Sequence, residues 1–150
     1  MSGDVELQRL AELSLSLPQL RAKAGNYLGW VRSGDLLFLS GQGADGWTGR
    51  VGETLTVEQG YLAARSCGLN LLAQVRDAVG GLAAVRQVVR VRGFVCCTDD
   101  LQEIPQVVNG ASDLFVAVFG ERGRHARTAL GVRALPLGFA VEIDMVVQLR

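Results

Sequence analysis

The sequence predicts an α/β (α+β) fold, with two long helices packed on one face of a partly parallel sheet. Three observations predict it. Apolar residues recur at helical spacing over two long segments, from Thr56 to Val79 and from Ile104 to Phe119. They alternate with polar residues, at strand spacing, in the stretches between and after. The two kinds of segment alternate along the chain, in the order helix, β, β, α, β, α, β, β.

Asp4 to Leu17 reads as an amphipathic helix: Val5, Leu7, Leu10, Leu13 and Leu17 share a face, and Pro18 stops it. Asn26–Val31 and Leu36–Ser40 read as short strands around the turn Ser33-Gly34-Asp35. Gly41 to Gly52 holds five glycines and reads as loop. The first long helix starts at Thr56, with Glu58 in its first turn. Tyr61, Ala64, Gly68, Leu71, Val75 and Val79 form its apolar stripe, and Gly80-Gly81 ends it. Val88 to Cys97 is a strand. Ile104 to Phe119 is the second long helix, with Gly120 as its cap. Arg127–Ala134 and Ala140–Leu149 are the last two strands.

The chain has 150 residues, the size of one domain, and 49% of them are apolar. A single domain over residues 1–150 is expected, with residues 1–20 as a helical extension. The formal net charge is zero. No basic surplus exists to neutralise phosphates, so nucleic acid is not an expected partner. Cys67, Cys96 and Cys97 form no C-x-x-C motif and are odd in number. That fits a reducing compartment with thiols as small apolar side chains. No leader or membrane-spanning run is legible, so a soluble, cytoplasmic protein is expected.

Strand parity predicts a two-faced sheet. Val141, Ile143, Met145, Val147 and Leu149 point one way; Glu142, Asp144, Val146 and Gln148 point the other. In the middle strand Val89, Val91 and Val95 oppose Arg90, Arg92 and Phe94. In Arg127–Ala134, Leu130 and Val132 oppose Arg127, Ala129, Gly131 and Arg133. The helices cover the apolar face. The second face mixes charges with Phe94, Val88 and Val146, and this reading places both Arg127 and Glu142 on it. Such a face fits an interface where the sheets of several subunits meet. Solvation is the alternative, and Arg90 or Arg92 would pair with Asp144.

Several motifs fail. Gly41-Gln42-Gly43-Ala44-Asp45-Gly46 matches G-x-G-x-x-G, but no helix starts there to hold a pyrophosphate. His125 is the one histidine, which removes most zinc sites. No nucleophile elbow accompanies it.

Taken together, the motifs resemble a known family. Gly25-Asn26-Tyr27, Leu39-Ser40-Gly41-Gln42, Val108-Asn109, Ala126-Arg127, Leu135-Pro136 and Val141-Glu142-Ile143 occur in the order and spacing of the YjgF, or RidA, family of reactive-intermediate (imine/enamine) deaminases. The resemblance runs from about Gly25 to the C-terminus. It implies a chorismate-mutase-like fold: a mixed six-stranded sheet, two long helices on one face, and a homotrimeric barrel with pockets between subunits. It implies hydrolysis of enamines or imines such as 2-aminoacrylate to 2-oxo acids and ammonia, with no metal or cofactor. Arg127 matches the arginine that grips the substrate carboxylate, and Glu142 the acid near the attacking water. Tyr27, Ser40 and Asn109 match pocket-lining positions, with backbone contacts at Gly41 and Ala129. A structural ion pair between Arg127 and Glu142 is the competing role for both.

The chain departs from the family pattern at His125, where a small residue or proline is usual, and at Thr128 and Ala129, where serine and cysteine are frequent. With its N-terminal helix it resembles the longer branch. Two other functions compete with deamination: non-catalytic binding of a 2-oxo acid, and the RNA-directed translation inhibition or ribonuclease activity attached to some relatives. If the last two strands formed a tight hairpin, Arg127 and Glu142 would lie about 20 Å apart and could meet only across chains. A strand between them would remove that estimate.

Overall fold

The computed structural model describes residues 4–150; the first three residues of the expected N-terminal extension lie outside it. Three helices, α1 (Val5–Glu12), α2 (Val57–Val79) and α3 (Ile104–Phe119), accompany five strands. The strands are β1 (Trp30–Ser33), β2 (Leu36–Gly43), β3 (Val85–Cys96), β4 (Ala126–Val132) and β5 (Val141–Leu149). Their order in the sheet is β1-β2-β5-β3-β4, and only β3 and β4 run parallel. The sheet is mixed, as expected, but it has five strands rather than six. The glycine-rich segment after β2 makes only isolated bridges, Thr48 with Phe139 and Val51 with Leu55 and Cys97. Gly46, Gly49 and Gly52 turn it with positive φ, which breaks any continuous ladder.

The helix boundaries follow the local signals. Thr56 and Gln59 form a reciprocal capping box at the start of α2, and Gly80 ends it in the left-handed conformation at φ 85°. α3 spans the expected residues and ends at Gly120. α1 is shorter than expected. Asp4 caps it, accepting from the Glu6 and Leu7 amides, and it ends at Glu12 with Ser14 at positive φ. Leu10 is buried, and Arg9 donates to Val118 O of α3 at 2.7 Å. No helix among the described residues is long and apolar enough to cross a membrane.

α2 and α3 pack together on one face of the sheet, as predicted. Beneath them lie Leu37, Leu39, Val88, Val91, Val95, Val141, Ile143, Met145, Val147 and Leu149. Two parity expectations are corrected here. A register shift between Val88 and Arg90 turns Val88 into the core and leaves Val89 exposed, the reverse of the simple alternation. In β4, Arg127 is level with buried Val91, and Leu130 with Phe94. Arg127, Ala129 and Gly131 therefore face α3, while Leu130 stands about half exposed on the open face. Space is the reason. A Cβ on Gly131 would come within 2.8 Å of Cys97 Sγ and 3.0 Å of Ile104 Cδ1, so at this end of β4 there is no room for a larger side chain on that face.

Candidate functional site

Each of the two regions holding the expected site residues begins with a strand. At the sheet edge, β4 delivers Arg127 to one stripe of α3. Pro105, Asn109 and Ser112 recur at steps of four and three along that helix and so share a face. Arg127 Nη1 donates to Asn109 Oδ1 at 2.7 Å and to Ser112 Oγ at 3.2 Å. Its Nη2 makes one long contact to Pro105 O at 3.4 Å. None of these acceptors is charged, and no acidic group within 4 Å pairs with the guanidinium among the described residues. One end of the fork is anchored, while the Nε side makes no hydrogen bond among the described residues. Asn109, expected as a pocket residue, is thus a direct support of Arg127. Ser112 is a second, longer support and was not anticipated; its step of three from Asn109 was the available signal. Ala129 lies two residues along β4 on the same side.

Glu142 lies elsewhere. It is level with Phe94 of β3, and through it with Leu130 of β4, on the open face. β3 separates β4 from β5, so the hairpin estimate lapses. Arg127 is level with Met145, three residues from Glu142, two strands away and on the opposite face. The expectation that both share one face is therefore corrected, and they form no ion pair within a protomer.

Glu142 opens into a cleft of about 500 Å3 that also takes in Tyr27, Ser40, Gly41 and Asp144. Tyr27 is about half exposed and precedes β1 rather than lying in a strand. Ser40 donates its hydroxyl to Leu28 O at 2.6 Å, and its amide donates to Gly29 O. These bonds tie the segment carrying Tyr27 to β2. At Gly41 a Cβ would come within 3.1 Å of Glu142 Cδ, so the backbone lies directly against the carboxyl. Burial, and then the neighbouring Asp144, push the Glu142 carboxyl above the ordinary glutamate range. Asp144 itself is taken by Arg92, whose Nε and Nη2 donate at 3.0 and 2.6 Å. That is one of the two expected partners; Arg90 instead stands beside Val146. The cleft also contains two cations not anticipated, Arg21 and Lys23. Arg21 pairs with Asp45 and lies 4.6 Å over the Phe139 ring. No cluster of three or more His, Cys, Asp or Glu that could hold a metal ion occurs among the described residues.

One region thus presents a cation whose Nε makes no hydrogen bond among the described residues, and the other a half-buried acid with a raised pKa in a cleft. The G-x-G-x-x-G stretch at Gly41–Gly46 leads into a loop, with no helix after it.

Comparison with known proteins gives a consistent answer. Residues 7–149 match the family described as "YjgF/chorismate mutase-like, putative endoribonuclease". Protein TCP17 of Trypanosoma cruzi is 44% identical over 146 residues, covering 93% of this chain and 91% of that one. A crystal structure of a protein of unknown function from Agrobacterium tumefaciens superposes with a TM-score of 0.90 at 40% identity, covering 97% of this chain and 92% of that one. RidA from an Antarctic Psychrobacter superposes at 0.58 with 30% identity, covering 87% and 94%.

Proposed function

Because the chain belongs to the YjgF/chorismate mutase-like family, we propose that it hydrolyses amino-acid-derived imines and enamines to 2-oxo acids and ammonia, in pockets between the subunits of a homotrimer. One observation carries the reading. Arg127 is held by neutral acceptors and by no acid among the described residues, so its charge remains for an anion. A guanidinium fork suits a carboxylate, which it grips through two parallel N–H bonds.

On this reading the site draws on a second protomer. Arg127 and Glu142 occupy opposite faces of one sheet, so a shared pocket takes one from each subunit. The open face supplies the surface for that association. A row of Val31, Phe38, Val146, Arg90 and Ala126 crosses the sheet there, and a second runs through Phe94 and Leu130. Val31, Phe38 and Leu130 are each close to half exposed in the protomer, which marks an interaction surface.

In the proposed reaction Arg127 binds the substrate carboxylate and fixes C2 of the imine. Glu142 accepts a proton from water as its oxygen adds to C2. That proton passes to nitrogen, giving a carbinolamine. Glu142 then takes the carbinolamine hydroxyl proton and delivers it to the same nitrogen, so the C–N bond breaks as the C2 carbonyl forms, and ammonia and the 2-oxo acid leave. An enamine enters as its imine tautomer, a proton moving from nitrogen to C3. One water is consumed for each ammonia released. Imine hydrolysis is intrinsically easy, so orientation and one acid–base group suffice. Tyr27, Ser40 and Gly41 wall the Glu142 side; Asn109 and Ala129 belong to the Arg127 side. The cell compartment proposed is the cytoplasm. An RNA-directed activity, in the sense of the family description, is not favoured by a chain of zero net charge.

The test is the consumption of 2-aminoacrylate with and without the protein. Acceleration by the wild type that is lost in Arg127→Ala supports the proposal. If wild-type protein gives the same rate as buffer but 2-oxobutyrate still stabilises it through Arg127, the chain is a 2-oxo acid binder rather than a deaminase.

A further inference from the structure

The inner end of the Arg127 network is the only imidazole in the chain. His125 Nδ1 lies 2.6 Å from Gly123 O. A carbonyl oxygen only accepts, so Nδ1 carries the proton and the neutral ring presents a bare Nε2. Ser112 Oγ stands 2.9 Å from that nitrogen. The hydroxyl's one proton is therefore given to His125, and its lone pairs face Arg127, whose Nη1 donates to it at 3.2 Å. The relay reads Arg127 to Ser112 to His125 to Gly123 O. Phe115 holds the ring from the side, edge-on at 6.0 Å between centroids.

We infer that His125 is a positioning residue for Arg127, acting through Ser112, and that it links capture of a carboxylate to partial uptake of a proton at the imidazole. The inference rests on the carboxylate reading of Arg127. Burial holds the imidazole below its ordinary pKa against the opposing hydrogen bond to Gly123 O, and the nearby guanidinium adds to the lowering. The other charged groups on the surrounding elements are turned elsewhere. On α3, Asp113 accepts from the Tyr61 hydroxyl at 2.7 Å. On the turn Gly120–Gly123, Arg122 contacts Glu6 and Val85 O, and Glu121 pairs with Arg124 in solvent. On β3, Arg90 is level with Ala126 on the open face. Arg127 is thus the charge that His125 senses. A carboxylate seated on Arg127 offsets that charge and makes the imidazolium easier to form. By reciprocity, the carboxylate binds more tightly as pH falls through the imidazole's titration. Ser112 Oγ has two lone pairs, so it accommodates a protonated Nε2 without releasing Arg127.

A single histidine gives a single imidazole signal. We would follow the imidazole nitrogens by NMR against pH, with and without saturating 2-oxobutyrate. The Kd for 2-oxobutyrate would be measured over the same range in the wild type and in His125→Gln. The expected results are a higher imidazole midpoint with ligand, and binding about threefold tighter on its acid side. In a Glu142→Gln background, where the pocket's other titrating group is removed, His125→Gln should bind with no such pH dependence. A third arm needs no ligand: Arg127→Gln should raise the midpoint in the free protein. A bound ligand that leaves the midpoint unmoved, or a pH slope that persists in the Glu142→Gln, His125→Gln double variant, overturns the inference with the carboxylate reading intact. If wild-type protein binds no 2-oxobutyrate, the carboxylate reading falls and the Arg127→Gln arm alone decides the relay. An unmoved midpoint there overturns it. Should His125→Gln not fold, the two wild-type titrations and the Arg127→Gln arm still decide.

Discussion

A charge inside a fold serves recognition only when the fold does not neutralise it. Arg127 meets that condition: its three acceptors are an amide oxygen, a hydroxyl and a carbonyl. Lysine would keep the charge and lose the fork, so Arg127→Lys is expected to weaken 2-oxobutyrate binding at least about tenfold, read by calorimetry. Glu142 is the opposite case, an acid whose ionised form is disfavoured by burial and by Asp144. At pH 7 that ionised form costs folding free energy. The cost fades as pH falls through the raised value and the carboxyl takes up its proton. Glu142→Gln should therefore melt about 1–3 °C higher at pH 7, with no gain at a pH below the ordinary glutamate value. Turnover of 2-aminoacrylate should fall about 100-fold in the same variant. Arg127, Glu142 and Asn109 could be singled out as candidates in the sequence because their neighbours carry the family's motifs. Ser112, Arg21 and Lys23 were not, because which side chains reach a site depends on how α3 and the N-terminal segment lie over the sheet.

At the level of elements, local chemistry set the helices and packing set the strands. The capping box at Thr56 and the glycines at Gly80 and Gly120 act within a few residues, so α2 and α3 fall where the sequence places them. Strand faces depend on what lies above the sheet. β4 was misread because Leu130 and Val132 are its large apolar residues, and alternation alone assigns such residues to the core. The close approach of α3 reverses the assignment. A Cβ on Gly93 would meet Val108 at 2.6 Å, and Gly131 is equally confined. The two helices are as close to each other. At Gly110 a Cβ would overlap the Tyr61 carbonyl of α2, so a methyl group there has to push the helices apart. Gly110→Ala is expected to destabilise the protein by about 3 kcal/mol in urea unfolding, and Thr56→Ala by about 1 kcal/mol. A Gly110→Ala variant of wild-type stability would contradict the helix crossing described.

For the whole molecule, the decisive feature is the separation of the acid from the cation by the thickness of the sheet. Alternation along the strands assigned the sheet a second, mixed face and placed both residues on it, because sheet order is not written in alternation. On the proposed reading a complete pocket takes Arg127 and Glu142 from two chains, because they lie on opposite faces, and the exposed Val31, Phe38 and Leu130 are where the chains would meet. Phe38→Asp should lower the mass in sedimentation from three protomers toward one and remove activity with it. The most direct measurement mixes two inactive variants, Arg127→Ala and Glu142→Gln, after unfolding and joint refolding. Each mixed trimer holds one pocket with both wild-type residues, so 2-aminoacrylate consumption should return to about a quarter of the wild-type rate. A mixture no more active than either variant alone, with mixed trimers present by mass, would contradict a pocket shared between subunits.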